Sequence, residues 1–379
     1  MENNLQVKIL HQEYLAALER APQLSQHPDP EWSVSAFPLP VETRLGPQLA
    51  RAGVTQMLPW PGLLERKASL ENAKAKAIFE RIEARSIVLV SEIKLAYLSL
   101  YEMEKSQEII EKNIVLLDAL EALSMSKTAS GQASTADALR VQIQMEALRQ
   151  EIQILNQAKR VPVSQINQLL NRPVETPIMM QDSFSFAELP YNKEQLVRGS
   201  EQHHPALRMY QRQQEIAQTA LALNAVSNKP SFGIGMDYLF VNKRTDADPQ
   251  RNGRDVIQLR ASVKLPLHQQ AYEAKAREEQ LRIASLENQK ADALSGFAAH
   301  IEQAFAEHET ARLRMNLVET QIELTDASIR ILQTEYSNTG AKFEELLRLE
   351  AERIQYDLNR LKAVVQSQRA LVKIEQFIF

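Results

Sequence analysis

The sequence has no cysteine in its 379 residues and only ten glycines. Without cysteine the chain has no disulfides, no thiolate nucleophile and no cysteine-based metal site. The scarcity of glycine, together with abundant alanine, leucine, glutamate, glutamine, lysine and arginine, favours long helices over a β-sandwich or a doubly wound sheet. We therefore expect a mostly α-helical chain with a small β part.

Long apolar runs and a strong net charge are missing too. The longest apolar run near a predicted helix is Ile87-Val-Leu-Val90, far short of the ~20 residues that a membrane-spanning helix needs. The net charge of −4 gives no electrostatic case for nucleic-acid binding. The first residues, Met1 to Leu5, carry no signal-peptide pattern, so we expect either a cytoplasmic protein or a mature chain without its signal sequence.

The two halves of the sequence share one pattern. The segments 49–59 and 256–266 both run as a strand-like stretch into Leu-Pro and then into a long helical pattern, and their prolines, Pro59 and Pro266, are about 207 residues apart. Each half has the order helix, strand, polar loop, strand, proline, long helix, glycine turn, long helix. We predict two tandem structural repeats, at 1–189 and 190–379.

Four segments show the period-2 alternation of β-strands, at about 31–40, 48–58, 231–241 and 255–265. In the last of them Leu259 and Ala261 alternate with Arg260 and Lys264. One interpretation is an amphipathic hairpin on a soluble core. The other is a transmembrane β-hairpin, which is favoured because each strand has the 9–11 residues that a tilted spanning strand requires.

Four strands leave two exposed edges, and edges of this kind require pairing with further copies of the chain. In a closed barrel the polar positions of the strands face the lumen. The predicted lumen residues are Arg51, Asp237, Arg260 and Lys264.

Helical spacing of apolar residues predicts two antiparallel coiled-coil hairpins, at about 62–170 and 267–378. An outgoing helix of about 60 residues has a length of roughly 90 Å. The chain reverses at Gly131, with Ser134 as the helix cap, and again at Gly340. We predict that these two turns are the tips of the rods.

The sequence closely resembles the TolC family of outer-membrane efflux proteins, and most of all its heavy-metal and cation branch, the CusC and CzcC group. The resemblance runs in order over essentially the whole chain. The segments that carry it are Asn3-Asn-Leu5, Pro28-Asp-Pro30, Phe37 to Pro47, Gln56 to Gly62, Ile166 to Pro173, His204-Pro-Ala-Leu207 and Tyr336 to Gly340.

The resemblance implies a homotrimer with a shared twelve-stranded β-barrel in outer-membrane lipid and a twelve-helix periplasmic tunnel. The linker from Asn171 to Pro190 would join the repeats near the waist of the tunnel. The implied function is an exit duct of a tripartite efflux system, coupled to a periplasmic adaptor and an inner-membrane pump of the RND type, with heavy-metal cations as one candidate cargo. Branch members often begin with a lipidated cysteine, which this chain lacks.

The resemblance also implies an acidic ring near the tips that closes the tunnel. The positions six and nine after Gly340 are Leu346 and Leu349, whereas Asp137 lies six after Gly131. The candidate gate residues are Asp137, Glu344, Glu345 and Glu350. The candidate adaptor-docking residues are Gly131, Ser134, Gly340 and Lys342.

Other chemistry is weakly indicated. His203 and His204 lack convergent partners for a metal site, Met179 and Met180 are typical of packing, and His300 and His308 are expected on a solvated helix face. We expect no catalytic site, cofactor or metal site. The alternative functions are a soluble coiled-coil scaffold or a periplasmic adaptor. An adaptor is disfavoured because it has one helical hairpin between Gly-rich β-domains, and a scaffold has no need of long alternating strands.

Overall fold

The computed structural model describes residues 3–180 and 183–378 and is mostly helical, with one small antiparallel sheet, as the sequence predicts. In chain order the elements are α1 (Leu5–Leu18), α2 (Arg20–Ser25), β1 (Glu31–Val41), β2 (Gln48–Leu58), α3 (Leu63–Ala129), α4 (Thr135–Ala158), α5 (Arg160–Leu169), α6 (Lys193–His203), α7 (Pro205–Ser227), β3 (Ser231–Val241), β4 (Val256–Lys264), α8 (Gln269–Thr339) and α9 (Phe343–Glu375).

The four strands form one sheet in the order β1-β2-β3-β4, with antiparallel neighbours throughout. Residues far apart in sequence meet across the β2–β3 pair, where Gly53 lies opposite Asp237 and Thr55 opposite Gly235. The two hairpins, one from each half, thus share a single continuous sheet rather than two isolated ribbons, which would be marginal in water.

Cross-helix contacts fix the register of both helical hairpins. The α3–α4 contacts join residues at nearly equal distances on either side of Gly131, with Gln142 donating to Glu121 at 2.6 Å. In the second hairpin Arg353 of α9 donates to Asp326 of α8 at 2.6 Å, again nearly symmetric about Gly340. Both pairs run antiparallel, as the glycine turns predict.

The helix returning from the first turn differs from its prediction. The sequence predicts one helix to Leu170, whereas the structure has two helices, α4 and α5, divided at Lys159. The cause is Pro162, which has no N–H to donate and whose ring crowds the carbonyl four residues earlier. Pro162 is accommodated in the first turn of α5. At the other end of the chain α9 ends at Glu375 rather than at the expected Ile378.

The chain divides into two compact units, each built from both halves of the sequence. One comprises Met1–Ile9, Ile82–Leu207 and Asp292–Phe379, and the other Leu10–Arg81 and Arg208–Ala291. The second unit holds the sheet, and the first holds the helical turns and the linker. The division into repeats at 1–189 and 190–379 concerns internal similarity instead, and it stays a prediction.

Within the first unit the largest apolar cluster lies beside the two turns. Tyr336 is fully buried there and packs on Phe343 with ring centroids 4.9 Å apart. α3, α4, α8 and α9 all contribute side chains to this cluster, so it joins the ends of both hairpins. In the part of the chain that the structure describes, no helix combines the length and apolar character needed to cross a bilayer.

Candidate functional site

One face of the sheet is apolar and exposed. Val34 and Leu259 are 82% and 81% exposed, and the register places Leu259 opposite Met236. Further large exposed apolar residues of this face are Trp32, Phe232, Ile234, Tyr238, Phe240, Ile257 and Val263. An exposed apolar patch on β1, β3 and β4 is typical of a surface buried by a membrane or by a partner.

The opposite face is polar and centres on Asp237, whose side chain has no exposed surface. Arg51 Nη2 donates to Asp237 Oδ2 at 2.5 Å. Arg260 Nη2 donates to Thr55 Oγ1 at 2.7 Å and lies 3.4 Å from Asp237 Oδ1. Three of the four predicted lumen residues therefore form one cluster. Lys264 lies on the same face but pairs in register with Ser231, away from the cluster.

Glycines on the polar face leave room for these side chains. A Cβ at Gly53 would lie 2.1 Å from Asp237 Oδ1. A Cβ at Gly235 would lie 3.0 Å from Thr55 Oγ1 and 3.4 Å from Arg260 Nε. Position 53 therefore requires glycine, because any side chain there would collide with the Asp237 carboxylate, which packs against the backbone of β2.

The turn at Gly131 closes the first hairpin with two local motifs. Gly131 has a φ of +73°, and the amides of Gln132 and Gly131 donate to the carbonyls of Lys127 and Thr128 at 2.9 and 3.0 Å, which is a Schellman motif. Ser134 then caps α4, as predicted: its hydroxyl accepts from the amide of Ala136 at 3.2 Å.

The turn at Gly340 is more crowded than the turn at Gly131. Gly340 has a φ of +72°, and a Cβ built on it would lie 2.2 Å from the carbonyl oxygen of Gln132. A Cβ on Gly131 would meet nothing within 4 Å. Lys342, two residues after Gly340, also has a left-handed backbone conformation, with a φ of 62°. Its ammonium group lies 3.2 Å from the carboxylate of Glu335.

A lysine that the sequence did not single out joins the two turns. Lys127 Nζ donates to the carbonyl oxygen of Ser337 at 2.5 Å and to Gln132 Oε1 at 2.9 Å. Together with the contact between Gly340 and Gln132, this lysine holds the tip of one hairpin against the tip of the other. Its position in the last turn of α3 is the only sequence signal, because basic residues favour helix C-termini in general.

The predicted gate carboxylates at the turns have different surroundings. Asp137 accepts from the amide of Ser134 at 3.4 Å and is mostly buried. Arg140 Nη1 lies 3.7 Å from both Asp137 and Glu344. Glu344 is 80% exposed, and Glu345 is also exposed. Asp137 is therefore occupied by helix capping, whereas Glu344 and Glu345 present their charges to solvent.

Glu350 differs from these residues because it is partly buried between α8 and α9. Gln333 Nε2 donates to its Oε1 at 3.2 Å. Burial raises the pKa of Glu350 above its ordinary value, and the nearby charge of Asp326 raises the pKa further. The hydrogen bond from Gln333 and the charge of Arg353 lower the pKa in part. The neighbouring arginine does not neutralise this carboxylate, because Arg353 pairs with Asp326 and Asp357.

We expect Glu350 to give the protein a stability that increases on acidification. A carboxyl whose pKa is raised on folding stabilises the folded state most below its unfolded pKa, and this contribution is lost as the pH rises through the folded pKa. Between neutral pH and its ordinary value of 4.5, the thermal midpoint of wild type should therefore rise relative to that of Glu350→Gln. Thermal unfolding followed by circular dichroism across this range measures the difference.

The matched control is Glu352→Gln, because Glu352 lies on the same helix, is 39% exposed in its side chain and pairs with Arg348 at 2.8 Å. This variant should keep the pH dependence of wild type. Identical pH profiles for wild type and Glu350→Gln would contradict the assignment.

α4, α5 and α8 of the first unit carry exposed apolar stripes. Contacts join α4 to α3 (Gln142–Glu121), α3 to α9 (Glu102–Arg369) and α9 to α8 (Arg353–Asp326). The stripe of α4 and α5 is Leu139, Ile143, Ile154 and Val161, and the stripe of α8 is Leu313, Leu317, Leu324 and Ile331. The members of the α8 stripe are four, seven and seven residues apart, which fits the heptad spacing of a coiled-coil seam.

Two of the histidines, His204 and His308, have structural roles. His204 is buried, accepts from the amide of Ala206 at 3.1 Å and packs 4.5 Å from the ring of Phe297. The expectation that His308 lies on a solvated face is wrong, because its Nε2 lies 2.7 Å from the carbonyl oxygen of Ala187 in the linker. Across residues 3–180 and 183–378 no group of three or more His, Asp or Glu side chains is arranged to hold a metal ion.

The remaining residues singled out in the sequence lie at the surface or in the linker. His203 and His300 are exposed, Met179 is exposed, and Met180 packs against a cluster of α3 and α9 side chains. The linker itself is fastened by hydrogen bonds: the amide of Phe184 donates to the hydroxyl of Tyr101 at 3.1 Å, and that of Ala187 to Ser367 at 2.9 Å.

The fold is shared with solved outer-membrane channels. CusC, whose crystal structures concern folding and transmembrane channel formation, matches 99% of this chain and 89% of its own, with a TM-score of 0.77 and 12% identity. The outer-membrane channel CmeC of Campylobacter jejuni matches 99% and 83%, with a TM-score of 0.74 and 11% identity. The open state of the MtrE outer-membrane channel of Neisseria gonorrhoeae matches 99% and 86%, with a TM-score of 0.75 and 13% identity.

The likeness is one of fold. No family model and no curated protein sequence matches this chain. The three channels are members of the TolC family, so the resemblance predicted from the sequence is confirmed at the level of the fold, and CusC is among the matches.

Proposed function

We propose that this chain, which has the fold of the TolC-family outer-membrane channels, is a passive exit duct in the bacterial outer membrane and not an enzyme. The observation that carries the proposal is the two-faced sheet: exposed apolar side chains of β1, β3 and β4 share one face, and charged side chains meet on the other. Lipid on one side and water on the other is the environment that such a sheet fits.

The edges of the sheet support assembly from several copies. Among the described residues β1 and β4 each pair on one side only, and an unpaired edge inside hydrocarbon costs several kcal/mol per unsatisfied group. Three copies would give the twelve strands that the resemblance implies. The exposed stripes of α8 and of α4 with α5 would then pack between copies and line up twelve long helices as a tunnel.

The tips are the proposed docking surface for a periplasmic adaptor, which would couple the duct to an inner-membrane pump of the RND type. Gly131, Ser134, Gly340 and Lys342 shape the two turns. Lys127 holds these turns together, so an adaptor that separates them has a defined set of contacts to break. The chain would span periplasm and outer membrane, with 1–189 and 190–379 as two related repeats.

Removal of the exposed carboxylates at the tips should weaken cation block. In a trimer Glu344 and Glu345 would contribute six carboxylates to one entrance, and acidic rings attract cations. We expect Glu344→Gln combined with Glu345→Gln to raise the concentration of divalent cation needed to block single-channel current in a planar bilayer. Unaltered block would place the gate elsewhere, with Glu350 and Asp137 as the remaining candidates.

Heavy-metal cations are a cargo suggested by the resemblance to the CusC and CzcC group alone. A duct needs no binding site for its cargo, and specificity then belongs to the pump. The charge of the polar face favours a different class of cargo.

The proposal is tested by reconstitution of the purified protein in planar bilayers. We expect discrete, water-filled conductance steps after insertion, and restored efflux when the protein is expressed with its adaptor and pump in a strain that lacks an exit duct. A protein that never inserts and remains monodisperse without detergent would instead support a soluble coiled-coil scaffold or a periplasmic adaptor.

A further inference from the structure

All charged residues of the four strands lie on the polar face of the sheet. There are five of them, Glu31, Arg51, Asp237, Arg260 and Lys264. The register aligns Glu31, Thr55, Gly235 and Arg260 in one row, and the other charged residues are separated from this row by even numbers of positions along their strands. Three basic and two acidic side chains leave this face with a net charge of +1 per chain.

Asp237 is unavailable to a cation. Its side chain has no exposed surface, Arg51 donates to one carboxylate oxygen at 2.5 Å, and Arg260 lies 3.4 Å from the other. The charge of a carboxylate held between two guanidinium groups is already balanced. The two arginines are 31% and 38% exposed, so the positive charges, and not the negative one, are presented on the surface.

The surface around the guanidinium groups is open. Gly53 and Gly235 lie beside Asp237 and Arg260 and have no side chains that could cover them. Asp237 and Thr55 are the side chains that the structure shows bonded to Arg51 and Arg260. Each guanidinium has five N–H donors, and these bonds use only the Nη2 group of each arginine.

We propose that Arg51 and Arg260 form an anion-binding station on the wall of the duct, which takes carboxylate, phosphate or sulfonate groups. The inference rests on the proposed channel function, since it assigns the polar face to the lumen. The planar donor fork of arginine matches these oxyanions in a bidentate way. Three copies would place six arginines and a net charge of +3 around one lumen, which favours anions over cations.

This station bears on the class of cargo. A free divalent metal ion would meet a ring of like charge in the barrel, whereas an organic molecule with an acidic group would meet paired donors. Cargo with a carboxylate, phosphate or sulfonate group is thus the class that this wall accommodates. A metal ion would pass more readily as an anionic complex than as a bare cation.

The test is ion selectivity of single channels in planar bilayers under a potassium chloride gradient. Arg51→Gln, which leaves Asp237 paired with Arg260, should lower the permeability ratio of chloride to potassium severalfold. Asp237→Asn, which is nearly isosteric, should raise it. Opposite shifts from these two changes cannot both come from damaged folding.

The control is Arg198→Gln on α6, whose arginine is 79% exposed and lies outside the sheet; its selectivity should match that of wild type. Inorganic phosphate should also reduce chloride current in wild type at a severalfold lower concentration than in Arg51→Gln. A permeability ratio that Arg51→Gln and Asp237→Asn leave unchanged would overturn the station while leaving the duct intact. Absence of any conductance would overturn the proposed duct and the station with it.

Discussion

Leu259→Arg is expected to prevent most of the protein from inserting into the membrane as an assembled barrel. Leu259 is 81% exposed on the apolar face of β4 and lies opposite Met236. An arginine that faces lipid near the middle of a bilayer costs roughly 2–4 kcal/mol, and 2 kcal/mol already corresponds to about a thirtyfold change in equilibrium. Quantification of the assembled form in isolated outer membranes measures the loss.

The matched control is the adjacent residue on the other face. Arg260→Leu removes a charge from the polar face, and Asp237 keeps its partner Arg51 at 2.5 Å. We expect this variant to insert nearly as well as wild type. Equal tolerance of Leu259→Arg and Arg260→Leu would mean that the apolar face is not a boundary with lipid.

Gly340→Val should abolish efflux while leaving insertion intact. The left-handed conformation of Gly340 costs an ordinary residue roughly 1–2 kcal/mol, and a Cβ there would lie 2.2 Å from the carbonyl oxygen of Gln132. The new side chain therefore has to push the two tips apart, which disrupts the proposed docking surface. Measurement of efflux and of membrane-inserted protein in the same cells separates docking from folding.

Gly131→Ala is the informative comparison for Gly340→Val. Gly131 has the same kind of backbone, with a φ of +73°, but its Cβ would meet nothing within 4 Å. Only the conformational cost applies, so we expect partial efflux. Efflux at the wild-type level by the Gly340→Val variant would mean that the contact between the two tips is not part of the docking surface.

Local signals predicted a large part of the fold. The alternation of Leu259 with Arg260 gives one apolar and one polar face in β4, because strand geometry depends only on neighbouring residues. The cap at Ser134 follows from a hydroxyl placed after a glycine turn. Even the break at Lys159 was available in the sequence, since Pro162 cannot continue a helix that began at Thr135.

The cluster on the polar face was predicted in composition and not in geometry. Arg51 and Asp237 are 186 positions apart, and only the register between β2 and β3 brings them together. The sequence predicts mixed charges in the lumen but not whether the lumen favours cations or anions. That preference depends on the register, which brings two arginines to Asp237. The glycines at 53 and 235 were the available hint, since they leave space on one face of two strands.

Packing between helices was equally hidden from the sequence. Glu350 differs from Glu344 and Glu345 because of its burial against Gln333 and Asp326 of α8, which are distant in sequence. His308 was expected in solvent since nothing in its helix signals that the linker carbonyl of Ala187 lies 2.7 Å away. Lys127 was missed for the same reason, as its main partner belongs to the turn of the other hairpin.

Closure of one membrane barrel by three copies of this chain is tested most directly by the mass of the purified particle. Size-exclusion chromatography with multi-angle light scattering separates the mass of protein from that of bound detergent. We predict a protein mass of three chains, and aggregation when the detergent is removed, because the apolar face of the sheet and its two unpaired edges are then covered by neither lipid nor detergent. A monodisperse monomer that stays soluble without detergent would contradict this assembly.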